Sequence, residues 1–276
     1  MLDHQPWLVA LGFGVGALGT LIGAGGGFVL VPVLLLLEPR QNPETITSIS
    51  LAVVFCNALS GSWAYARMRR IDYKSGWLFA AATIPGAIAG ALSTNYIPRR
   101  EFNGVFGVVM ILAAAYLMFH RNNDTRDLAE ARRKGHSIRT VVERDGTAHA
   151  YSYDLKLGMG LSVVVGYLSS LLGIGGGIIH VPALVRLLDF PVHIATATSH
   201  FILAIMALVG TIVHVASGSF SRDSAWQTAL LGVGVLFGAQ AGAWLSSRIH
   251  GRWIIRGLAV ALGLVGIRIL AMVVQG

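Results

Sequence analysis

Charge is scarce in this 276-residue sequence: only 12% of its residues are charged, about half of the roughly 25% usual in a soluble domain. Of those residues, 14 crowd into positions 121–156, so the rest of the chain could not cover a water-facing surface. Cysteine is nearly absent as well. Cys56 stands alone inside an apolar run, which excludes a disulfide framework, a CxxC motif and a cysteine zinc site. No HxxxH or HxxE pattern occurs and no carboxylate lies within an apolar run, so neither a metal nor a cofactor is expected. The net charge of +8 comes from Lys and Arg in short loops between apolar runs, which is the cytoplasmic bias of membrane proteins rather than a nucleic-acid surface. The N-terminal residues lack the basic region of a cleaved signal peptide, so the first apolar run is expected to remain.

What is abundant points the same way. Hydrophobic residues make up 54% of the chain and glycine occurs 34 times, and mean hydropathy is +0.66. Eight apolar segments, at 7–37, 45–66, 75–97, 102–119, 157–188, 190–217, 224–247 and 253–274, approach or exceed the about 20 residues that span a bilayer as a helix. The fold expected is all-α and polytopic in the lipid bilayer. Segment 7–37 would reach about 46 Å as a straight helix. It is interrupted by Gly23-Ala-Gly25-Gly26-Gly27 and Pro32, as segment 157–188 is by Gly173-Ile-Gly175-Gly176-Gly177 and Pro182. Both read as broken or re-entrant helices.

An internal repeat relates the halves. Gly23, Gly25, Gly26, Gly27, Val31 and Pro32 recur 150 residues later; Thr47, Ser50, Leu59 and Gly61 recur 149 residues later as Thr196, Ser199, Leu208 and Gly210. Gly86–Ala91 matches Gly238–Ala243, with Gln240 replacing Ile88. The expected organisation is a first membrane repeat over 1–120, a cytoplasmic linker over 121–156 and a second repeat over 157–276, pseudo-symmetric and inverted. Within the linker, Asp127–Lys134 reads as a short polar helix. The runs 138–142 and 147–153 flank Asp145-Gly146, a two-residue hairpin signal, and a linking role outweighs a regulatory one.

Gly14-Val-Gly16-Ala-Leu-Gly19 matches a dinucleotide fingerprint only in letters, since no strand precedes it. It reads as helix packing, like Gly86/Gly90 and Gly234/Gly238/Gly242. The glycine breaks carry more information. Interrupted helices at membrane depth need partners for their amides, and half-helices starting after Gly27 and Gly177 would offer N-terminal dipoles to an anion. Thr196, Ser199 and His200 share a helix face just beyond the second break, and Thr47 and Ser50 match them in the first half. The substrate-site candidates are therefore Gly23, Gly25, Gly26, Gly27, Gly173, Gly175, Gly176, Gly177, Thr47, Ser50, Thr196, Ser199 and His200. If protons are the coupling ion, His200 or His180 carries them. His214 and Gln240 are weaker candidates, and Asn57 and Cys56 read as packing residues.

The doubled GxGGG-x4-P, each copy followed by a Ser/Thr-rich span start, resembles the sulfite exporter TauE/SafE family over almost the whole chain. The resemblance implies a secondary transporter, not an enzyme, that exports a small anion such as sulfite or an organosulfonate across a bacterial cytoplasmic membrane. A passive anion channel, or an uptake permease for another small organic acid, remains open on the residues alone, as does assembly into a homo-oligomer.

Overall fold

The computed structural model describes residues 6–38, 41–119, 136–249 and 251–275. The polar helix expected at Asp127–Lys134 lies outside them. Ten α-helices occur among the described residues: α1 (Trp7–Ile22), α2 (Gly27–Leu37), α3 (Pro43–Arg67), α4 (Tyr73–Ser93), α5 (Arg99–Phe119), α6 (Leu155–Leu172), α7 (Gly177–Arg186), α8 (Val192–Ala216), α9 (Arg222–Ser246) and α10 (Gly251–Gln275). A short 3-10 turn, Thr94–Tyr96, extends α4. Five helical stretches, Pro43–Arg67, Tyr73–Tyr96, Leu155–Leu172, Val192–Ala216 and Arg222–Ser246, are long and apolar enough to cross a membrane. Large side chains such as Trp63, Trp77, Leu112 and Phe237 stay exposed on outer helix faces, which a bilayer tolerates and water does not.

Segment 7–37 divides into α1 and α2, and segment 157–188 into α6 and α7. Local chemistry accounts for the division. Gly23 ends α1 in the left-handed region at φ 80°, its amide reaching back to Gly19 and Thr20. Gly25 and Gly26 also sit at positive φ (77° and 82°), and Gly173, Gly175 and Gly176 repeat the pattern at 67°, 80° and 72°. Side chains strain such conformations, so glycine is required.

Helix neighbours cross between the sequence halves. α1 packs along α9 and α4 along α6, each pair parallel and close; α3 lies against α8 and α9, and α8 against α4. The small-residue rows make this possible. A Cβ on Gly86 would fall 2.1 Å from the Val163 carbonyl, and one on Gly234 2.1 Å from the Val9 carbonyl. Gly12 and Gly16 serve the same purpose against Leu231 and Val235.

α1 begins and α2 ends toward the N-terminal half of α9, where Gly234 meets Val9 and Gln227 donates to Glu38 at 2.6 Å. α6 begins and α7 ends at the opposite face, where Phe190 packs on Tyr151 and Tyr153.

That second face carries a two-stranded antiparallel hairpin, β1 (Ser137–Val142) and β2 (Ala148–Tyr153), with Ser137 opposite Tyr153 and Val142 opposite Ala148. The turn differs from a two-residue Asp-Gly loop. The Glu143 amide donates to Thr147 and the Gly146 amide to Glu143, with Gly146 at φ 90°. This is a three-residue loop, Arg144–Gly146, closed by a left-handed glycine. The Thr147 amide donates to the Asp145 carboxylate at 2.9 Å, so the aspartate braces the longer loop instead of occupying a tight turn.

Candidate functional site: two glycine breaks in contact

The glycine breaks lie against each other. A Cβ on Gly27 would sit 2.6 Å from the Gly173 carbonyl, and one on Gly177 2.2 Å from the Gly23 carbonyl. Gly27 and Gly177 have helical rather than left-handed backbones. They are therefore needed for this mutual approach, whereas the other glycines serve their φ angles. Residues 23–27 and 173–177 are all buried. Part of the loosened backbone is satisfied internally: Ala24 and Gly25 amides donate to the Gly19 carbonyl at 2.8 and 3.1 Å, and the Gly177 amide to Gly175 at 2.8 Å. α2 and α7 then start at Gly27 and Gly177, with their first turns directed at the contact.

Each break is walled by the long helix of the opposite half. Ser50 on α3 donates to the Gly173 carbonyl at 2.6 Å, and Ser199 on α8 donates to the Gly23 carbonyl at 3.3 Å. Thr47 packs against Gly173 and Thr196 against Gly23. Both threonines are buried, and their hydroxyls have no hydrogen-bond partner. Ser169 Oγ lies 2.8 Å from where a Gly176 Cβ would stand and is likewise unpartnered, as is the neighbouring Ser170 hydroxyl. Val54 and Leu203 form the apolar wall at Gly25, and Val54 also meets Gly175.

The structure thus brings together the eight glycines with Thr47, Ser50, Thr196 and Ser199. His200 reaches the Gly23 backbone as well, and its other ring nitrogen turns to a separate polar cluster. Its Nε2 lies 3.1 Å from the Thr20 hydroxyl, which donates to Asn57 Oδ1 at 3.1 Å. The Tyr65 hydroxyl donates to the Thr20 carbonyl at 2.7 Å, and its ring meets the imidazole edge-on. Asn57, expected only to pack, belongs to this buried polar cluster. His180 faces Ser162, with Nε2 and Oγ 3.2 Å apart, and the ring of Phe79. Gln240 donates to Ser60 of α3 at 2.8 Å, an interhelical contact.

The polar cluster has no matching twin. At the repeat offsets, Thr20, Asn57, Tyr65 and His200 correspond to Ser170, Met206, His214 and Leu51. Around Gly61 stand His200 and Thr20, whereas around Gly210 stand Leu51 and Ser170. The paired hydroxyls at 20 and 170 were visible as a repeat match. The partnership of Thr20 with residues 57, 65 and 200 was not, because it joins three helices.

A second polar centre went unanticipated. Asp72 is buried at the N-terminus of α4 and accepts from the Ser75 amide and hydroxyl, the Tyr151 hydroxyl at 2.8 Å and Arg139 Nη2 at 2.8 Å. Burial pushes its carboxyl up, but the hydrogen bonds from Arg139, Ser75 and Tyr151 outweigh that and hold it below the usual carboxylate value. Burial and the Asp72 charge push the Tyr151 hydroxyl far above its ordinary value. The Asp-x-x-Ser spacing was a legible capping signal; its partners in the hairpin were not.

Long apolar helices with lipid-compatible outer faces, and irregular backbone buried among protein, define a polytopic helical membrane protein. The chain belongs to the sulfite exporter TauE/SafE family of membrane transporters, matching its description over residues 8–269. It is 35% identical over 274 residues to the probable membrane transporter protein YunE of Bacillus subtilis, covering 95% of this chain and 96% of that one. A probable membrane transporter of Methanocaldococcus jannaschii is 27% identical over 219 residues, covering 78% and 73%. One from Xylella fastidiosa is 26% identical over 249 residues, covering 88% and 86%. No solved structure matches the chain.

Proposed function

We propose that this protein is a secondary transporter that exports a small oxyanion, sulfite or an organosulfonate, across a bacterial cytoplasmic membrane through the contact between its two glycine breaks. The observation that carries this reading is the crossed pairing of Ser50 with Gly173 and Ser199 with Gly23. It gives one locus, assembled equally from both halves, with the start of a half-helix on each side. The buried Thr47, Thr196, Ser169 and Ser170 hydroxyls, free of partners, are the donors an oxyanion accepts from. Helix N-termini add partial positive charge without a buried cation.

The halves are read as an inverted repeat, 1–120 and 157–276. α1–α2 enters and returns at one face and α6–α7 at the other, the architecture suited to alternating access. Lys and Arg at Arg67, Arg69, Arg70 and Lys74 favour a cytoplasmic location for the hairpin face. Both breaks are buried, so a solute reaches them only after helices move. His200, buried against Thr20, is the proton carrier on this reading; His180, facing Phe79, is the lesser one.

Thermal unfolding of the purified protein with sulfite, sulfate, thiosulfate, taurine and acetate is the direct test. A ligand bound only by the folded state raises the midpoint. Stabilisation by sulfite or a sulfonate that disappears in Thr47→Val with Thr196→Val supports the site. Equal midpoints with every anion would remove it.

A further inference from the structure

The hairpin joins the two halves where a linker need only tether them. Its inward face is apolar and aromatic: Val141, Tyr151 and Tyr153 are buried in the same core as Phe79, Leu188 and Phe190. Its polar contacts with the first half are directional. Arg139 and Tyr151 hold Asp72, and Tyr153 and Ser75 share a hydrogen bond at 2.6 Å. Glu143 pairs with Arg70 at 2.6 Å, and the Arg144 amide donates to the Met68 carbonyl at 3.1 Å. Toward the second half the contact includes an aromatic face, with the Phe190 ring 4.4 Å from Tyr151 and 5.1 Å from Tyr153.

One further bond crosses at this level. The Asp72 amide donates to Thr198 Oγ1 on α8 at 3.0 Å. Thr198 lies between Thr196, which packs on Gly23, and Ser199, which donates to the Gly23 carbonyl. The fully buried Asp72 carboxylate is thus fixed to the hairpin through its side chain and to the wall of the candidate site through its main chain.

We propose that the β1–β2 hairpin is the gate of the face bearing Arg67, Arg69, Arg70 and Lys74, closing it by clasping the α3–α4 turn to the α7–α8 turn. The gate stays with α4, held by directional charge-assisted bonds. It parts from α7–α8 along the Phe190 face and the Asp72–Thr198 bond. That seam is the weak one, since aromatic faces slide and separate without leaving an unpaired charge, whereas pulling Arg139 from buried Asp72 would strand one. Opening frees α8, and with it Thr196 and Ser199, from the hairpin side. The gate rests on the transport reading above, and it gives residues 137–153 a role in the transport cycle.

The test joins Tyr151→Cys to Phe190→Cys by a disulfide in a Cys56→Ala background, in full-length protein reconstituted in liposomes. Efflux of radiolabelled sulfite is measured before and after reduction. A gate predicts at least tenfold slower efflux in the oxidised form, restored by reductant; equal efflux from complete disulfide and reduced protein overturns it. If neither these variants nor the unmodified protein moves sulfite, it is the transport reading that fails. Amide exchange of the unmodified protein in lipid then decides the gate without any substrate. Amides of the α7–α8 turn that open while β2 and α4 remain protected support it. Hairpin and α7–α8 turn opening only together overturn it.

Discussion

Ser50 and Gly173 are 123 residues apart, yet the serine hydroxyl donates to the glycine carbonyl at 2.6 Å. The counterpart bond from Ser199 to Gly23 is longer, at 3.3 Å. Both serines point from a continuous helix of one half into the interrupted backbone of the other, so each break is hydrogen-bonded by the opposite half.

Ser50→Ala should therefore cost more stability than Ser199→Ala: about 1 kcal/mol or slightly more for the first and less for the second, the usual net worth of such bonds. Chemical or thermal unfolding in detergent orders the two. The reverse order would assign the short contact little energetic weight.

Glycine substitutions separate contact from conformation. Gly27→Ala places a Cβ 2.6 Å from the Gly173 carbonyl and should cost about 1–3 kcal/mol as overpacking. Gly25→Ala adds left-handed strain of about 1–2 kcal/mol to a clash with Leu203. Gly14→Ala meets nothing within 4 Å and should stabilise α1 by up to about 1 kcal/mol. Melting midpoints of the three variants check the ranking.

His200→Gln retains a group able to bond Thr20 but cannot titrate. Sulfite efflux driven by a proton gradient should lose its dependence on pH in this variant. An unchanged profile would take His200 out of proton movement. His200→Leu should instead destabilise the fold by about 1–3 kcal/mol, since Thr20 loses a buried partner.

Asp72 sits below the ordinary carboxylate value of 3.8 when folded. A depressed carboxyl contributes stability that is complete above its unfolded value and is lost as pH falls through the folded one. Docking of the hairpin should hold through neutral pH and weaken only below about pH 4. Asp72→Asn should remove that acid-dependent step. Amide exchange of β2 against pH measures it, and an acid step surviving in Asp72→Asn would place its origin in another group.

Much of this protein was legible before any coordinates. The scarcity of charge demanded lipid, and consecutive glycines followed by proline demanded an interrupted helix. Those signals are local: hydropathy, φ preference and the loss of an amide donor act within a few residues. The hairpin strands were readable for the same reason, although their loop took one residue more than Asp145-Gly146 suggests, because Glu143 pairs with Thr147 across it.

Which residues face the breaks was decided by packing. Thr196, Ser199 and His200 share a helical face by spacing, and all three meet Gly23, but only packing against α1 adds Thr20 as a partner of the imidazole. Asn57 became a hydrogen-bonding residue and Asp72 a buried anchor only because distant helices and a hairpin brought partners to them. Sequence by itself determined that this chain enters a membrane and that its glycine-proline motif occurs twice. The tertiary structure decided what each break touches, because hydrogen bonds and steric contacts between residues more than a hundred positions apart leave no periodicity along the chain.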